Sequence, residues 1–112
     1  MPCCHDFGVI PAFDPHSPEY EEYTPEKYGC VPVDDDDMLP VMEKLRDLDT
    51  FYHRGSRPAK GFAWCGITLI PPASLGAFLA AVEEEKSPAF APLAEKIREA
   101  MAEGKYMIHY GL

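Results

Sequence analysis

Four cysteines and four histidines give this 112-residue chain the residue types for metal ligation and nucleophilic catalysis. Cys3, Cys4 and His5 are adjacent, whereas Cys30, Cys65, His16, His53 and His109 are scattered singly. A closed zinc site usually takes four ligands from two spaced pairs, and the chain has neither C-x-x-C nor H-E-x-x-H. The clustered thiols therefore read as a terminus with adventitious cysteines, and no metal or cofactor is expected. Cys65 alternates with Ala63, Ile67 and Leu69, which suits a small buried hydrophobe. If Val31, Val33 and Ile108 face one layer of helices, Cys30 and His109 share the opposite sheet face. A Cys–His nucleophilic pair is then geometrically allowed. No orienting third group or oxyanion hole accompanies it, so a thiol-dependent enzyme or a Cys/His metal site is the alternative and a non-catalytic domain the main expectation.

The run Asp34–Asp37 raises a second chemical option, a cation site. It lacks the glycine turn and late glutamate of an EF-hand loop. It does precede Met38, Val41, Met42, Leu45 and Leu48, the spacing of one apolar helix face. Asp36 or Asp37 suits an N-cap, carboxylates oppose the helix dipole, and Pro40 fits a first turn. The run reads as a helix start.

A third option is ligand binding along FYHRGSRPAKGFAWCGITL, residues 51–69. Alternation puts Ala63, Cys65, Ile67 and Leu69 on one side of a strand and Phe62, Trp64, Gly66 and Thr68 on the other. With helices on the first side, Phe62 and Trp64 stand on an open face beside Arg54, Arg57 and Lys60, with His53 adjacent. Such a surface suits a flat anionic ligand.

The elements that must position these groups follow from period and punctuation. Residues 28–33, 50–54, 61–70 and 105–110 read as strands. Residues 50–54 would form a short edge and 61–70 a central strand, and Pro32 belongs at an edge or a strand end. Helices follow from Met38 to Leu48, from Leu75 to Val82, and from Phe90 to Met101 with Gly104 as the stop. The expected fold is α+β: a two-layer sandwich in ferredoxin-like β-α-β-β-α(α)-β order, with helices on one face of a four-stranded, mostly antiparallel sheet. Residues 1–26 carry five of the twelve prolines. They read as an extended N-terminal arm on the surface of a single 27–112 domain.

KGFAWCGI, residues 60–67, resembles the RNP1 octamer of RNA recognition motifs, K/R-G-F/Y-G/A-F-V-x-F/Y. Lys60, Gly61, Phe62 and Ala63 match, Trp64 exchanges one aromatic for another, Cys65 replaces an aliphatic, and Ile67 replaces the last aromatic. The resemblance implies base stacking on Phe62 and Trp64, and single-stranded RNA as an alternative partner. It covers eight residues, and the first strand offers only Tyr28 as a second stacking aromatic.

Charge narrows the partners further. The net charge of −9 opposes broad affinity for nucleic acid or anionic membrane. Residues 1–49 hold thirteen acids and three bases, residues 50–82 no acid, and residues 83–112 six acids and four bases. With no secretory signal pattern and no long apolar run, the expected setting is cytoplasmic, with reduced thiols. The functional expectation is a small acidic binding or regulatory domain that takes a protein partner or a small anionic ligand.

Overall fold

The computed structural model describes residues 4–63 and 65–111. It is an α+β fold with a six-stranded antiparallel sheet, not the four-stranded ferredoxin-like order. The strands are β1 (Cys4–Val9), β2 (Val31–Asp34), β3 (Asp49–Tyr52), β4 (Pro58–Lys60), β5 (Gly66–Ile70) and β6 (Met107–Gly111), in spatial order β2-β1-β6-β5-β3-β4. Three helices, α1 (Asp35–Lys44), α2 (Leu75–Glu84) and α3 (Ala91–Glu103), complete the regular structure.

The largest correction concerns the N-terminus. Residues 4–9 are no surface arm: β1 pairs with β2 on one side and β6 on the other. Alternation along CHDFGV sends His5, Phe7 and Val9 to one face, and Phe7 is fully buried. A strand bonded on both sides is the best-protected place in a sheet, which is why so short a segment is held. Insertion of β1 also pushes β2 to the sheet edge. Pro32 then needs no second ladder, so the proline that was awkward in a central strand is accommodated.

Both faces of the sheet are covered. On the helical face, Phe7, Val9, Val33, Ile70 and Met107 pack with Met38, Val41, Phe78, Leu93 and Ile97. On the other face, Ile67, Leu69, Ile108 and Tyr110 pack with Ile10, Tyr20 and Tyr28 from the segment that follows β1. That segment holds its shape with two short 3-10 turns, Pro18–Glu21 and Pro25–Tyr28, each opening on a proline. Proline fits there because the first helical amide has no partner to lose.

The helices match their apolar spacing, with one change at the first. The N-cap of α1 is Asp34, which makes no side-chain capping bond, so neither Asp36 nor Asp37 caps it. Pro40 consequently falls at the sixth helical residue rather than in the first turn, and the bond to the Asp36 carbonyl is forgone. Gly104 ends α3 in the left-handed conformation, φ 64°, as its position implied. Gly61, φ 69°, turns the chain out of β4 where the Arg46 backbone approaches within about 3.0 Å of the site of a Cβ. Among the described residues no helix is long and apolar enough to cross a membrane.

Candidate functional site

The sheet brings together two histidines from opposite ends of the chain. β1 and β6 are neighbours with His5 opposite Gly111 and Phe7 opposite His109, and β5 lies beyond β6 with Thr68 opposite His109. His5, His109 and Thr68 therefore project to the helical face, where the first turn of α1 adds Asp35. Asp35 Oδ1 lies 2.7 Å from His5 Nε2, His5 Nδ1 lies 2.7 Å from His109 Nε2, and His109 Nδ1 lies 3.1 Å from Thr68 Oγ1. The Ala63 amide donates to Thr68 Oγ1 at 2.8 Å. The two imidazoles are within 11° of parallel, and Phe7 and Phe62 pack against the His109 ring.

With both rings neutral, donor and acceptor counts set the proton positions in this wire. A carboxylate only accepts, so His5 donates from Nε2 to Asp35. A neutral His5 then accepts at Nδ1, so His109 donates from Nε2. His109 in turn accepts at Nδ1 from the Thr68 hydroxyl, whose oxygen takes the Ala63 amide proton. All four bonds run in one direction and no polar group of the row goes unused. Burial, with the neighbouring His5 as a second cause, holds the His109 pKa well below the usual imidazole value. At 0–1% exposure for His5, Thr68 and His109, no substrate reaches the ring nitrogens, and only Asp35 touches solvent.

The residues singled out from sequence fall in different places. Phe62 is buried under the helices against Phe7 and Phe78, and so presents no stacking face. The alternation of β5 is real but its sides are exchanged: Ile67 and Leu69 meet the 10–28 segment, while Thr68 and Ile70 meet the helical side. Two covered faces remove the asymmetry on which the expected orientation rested. Residues 61–63 and 65 are not strand, so the octamer 60–67 is not one strand but begins at the end of β4 and ends in the start of β5. Trp64 and Cys3 lie outside the described residues.

Arg54 pairs with Glu21 at 3.0 Å and Lys60 with Asp49, so two bases of the expected anion site are already engaged. Arg57 is exposed on the hairpin. His53 is half-buried with a left-handed φ of 66°, and its amide donates to the Ile67 carbonyl at 3.1 Å. Cys30 and His109 cannot form a pair, because Cys30 packs with the 10–28 segment on the opposite face of the sheet. Burial pushes the Cys30 thiol up to about 12, which leaves it protonated near neutrality and a poor nucleophile. Cys65 is exposed rather than a buried hydrophobe, since it precedes β5. Among the described residues no group of three or more His, Cys, Asp or Glu side chains is placed to hold a metal ion.

Sequence reasoning missed His5, Asp35 and Thr68. The one available signal was the alternation His5–Phe7–Val9, which marks a strand with a polar group at its buried start. Comparison of the chain with protein-family models, with curated proteins and with solved structures finds no match.

The remaining polar surface carries several ion pairs. Lys27 pairs with Glu19, Lys44 with Glu85, and Arg98 with Glu83, at 2.6–2.9 Å. Among the described residues, no ion pair reaches Asp34, Asp36 or Asp37. Asp34 and Asp36 are exposed and Asp37 is half-buried, all at the start of α1. A surface groove of about 610 Å3 lies between Val31 and α3, but its lining mixes Glu95 and Glu99 with Lys96 and Arg98 and favours neither sign.

Proposed function

We propose that the protein is a non-catalytic interaction module that engages a basic partner through the acidic start of α1. The observation that carries this reading is the set Asp34, Asp36 and Asp37, which no ion pair reaches among the described residues, in a chain of net charge −9. Carboxylates gathered at a helix start create a local negative potential that steers a cationic surface into register. The sealed histidine wire and the protonated Cys30 favour binding over chemistry, because neither offers a reacting atom to a substrate.

A short lysine-rich peptide is a sufficient probe. Its affinity is expected to fall on the order of tenfold as ionic strength rises from about 0.05 M to about 0.3 M, because exposed charges are screened over that range. The combined substitution Asp34→Asn, Asp36→Asn and Asp37→Asn, with Asp35 kept for His5, is expected to remove most of the low-salt affinity. Equal affinity for the parent and the substituted protein, or affinity indifferent to salt, overturns the reading.

A further inference from the structure

We propose that the Asp35–His5–His109–Thr68 row is an acid-sensitive latch that fastens β1 and the start of α1 to β5 and β6 at neutral pH and releases them when the row takes up a second proton. The geometry gives the reason. One added proton can be carried by reversing part of the row: His5 donates from both nitrogens, to Asp35 and to His109 Nε2, and His109 donates from Nδ1 to Thr68. Every inter-ring bond survives, and only the Thr68 hydroxyl must turn to a new acceptor. A second proton has no such solution. His5 Nδ1 and His109 Nε2, 2.7 Å apart, would then both carry hydrogens and positive charge. The contact must open.

The groups that titrate in the row are Asp35 from α1, His5 from β1 and His109 from β6. The other elements against the His109 ring supply Thr68 from β5 and the Phe7 and Phe62 rings, none of which titrates near neutrality, and Phe78 of α2 stands behind Phe7 and Phe62. Among the described residues Asp35 is the carboxylate hydrogen-bonded to the row, and one carboxylate can balance one positive charge and not two. What opens is specific, because the row is the point where α1, β1, β6 and β5 are tied side chain to side chain.

The direction of the pH effect follows from His109. Its folded-state pKa lies below its unfolded one, so the folded protein binds fewer protons. The stability this contributes is fully present above the unfolded value near 6.5 and is lost as pH falls toward the folded value. For each proton so coupled, the ratio of latched to released protein changes by up to about tenfold per pH unit in that window.

Two measurements on the intact chain test the latch. In the first, side-chain nuclear magnetic resonance follows all four histidines from pH 7.5 to pH 4, with exposed His16 as the internal reference. His109 is expected to stay neutral well below the titration midpoint of His16, with its proton on Nε2 before the row takes up its first added proton and on Nδ1 after it. Amides of Cys4–Val9 should lose protection together with its eventual protonation. In the second, His109→Gln keeps one donor and one acceptor but no titrating ring, and is expected to flatten the loss of stability as pH falls below about 6.5 by up to about tenfold per pH unit. Should that variant fail to fold, the first measurement decides alone. A His109 that titrates alongside His16, or β1 amides equally protected before and after it protonates, overturns the proposal.

Discussion

Replacing Phe7 by alanine is expected to lower stability by about 3–5 kcal/mol, read as a shift in the denaturant midpoint at unchanged slope. The size follows from position. Phe7 is fully buried on a strand bonded to neighbours at both edges, and its ring meets Phe62, Phe78 and His109. These partners come from the residues just after β4, from α2 and from β6, so no single neighbour can collapse into the vacated space without leaving another contact. Small domains have only about 5–15 kcal/mol in total, and the variant should be close to unfolded at moderate temperature. A residue on a surface arm would show almost no change.

Gly8→Ala is the second large effect, and it comes from a single added methyl group. A Cβ at Gly8 would stand 2.7 Å from the Tyr28 carbonyl oxygen and 2.7 Å from Cys30 Sγ. The oxygen belongs to the backbone at the end of a 3-10 turn that also packs Tyr28 into the core of the second face. It cannot rotate aside as a long side chain can. Accommodation means lifting that turn off β1, at a cost of about 2–3 kcal/mol, the upper part of the range for overpacked sites. Loss of unfolded-chain entropy returns only about 0.4–1 kcal/mol. Thermal or denaturant unfolding of Gly8→Ala beside the parent measures the difference, and the 10–30 segment should loosen first.

These two positions also show which parts of the fold are legible in the amino-acid order. Met38, Val41, Met42 and Leu45 announce α1, and Gly104 announces the end of α3, because helix period and glycine stops are local signals. Ile67 through Ile70 and Met107 through Tyr110 announce strands for the same reason, and Pro32 correctly asks for an edge. Which face of β5 meets the helices is not local. It depends on whether a second layer exists, and that layer is built from Ile10, Tyr20 and Tyr28, set among prolines with no period of their own. The central strand is harder still. CHDFGV mixes two polar residues and a glycine into six positions, and only the meeting of β2 and β6 on either side makes it the middle of a sheet.

The candidate site was legible only in pieces. Asp35 reads as one of four dipole-facing aspartates, yet its carboxylate accepts the His5 hydrogen bond while Asp34 and Asp36 are exposed. His109 reads as half of a pair with Cys30, and its true partner is 104 residues away along the chain. No spacing rule reaches across that separation, since the contact is created by strand order alone. The basic hairpin misled for a related reason. Arg54 and Lys60 stand out as bases in an acid-free stretch, while the acids that engage them, Glu21 and Asp49, lie outside it.

Every statement about the histidine row, the covered sheet and the displaced Pro32 depends on β1 lying between β2 and β6. Native-state hydrogen exchange of the amides of residues 5–8 at neutral pH measures this directly. They are expected to exchange as slowly as those of Ile108 and His109, at the rate set by global unfolding. Exchange of residues 5–8 at the rate of an open chain, with β5 and β6 still protected, would contradict the account.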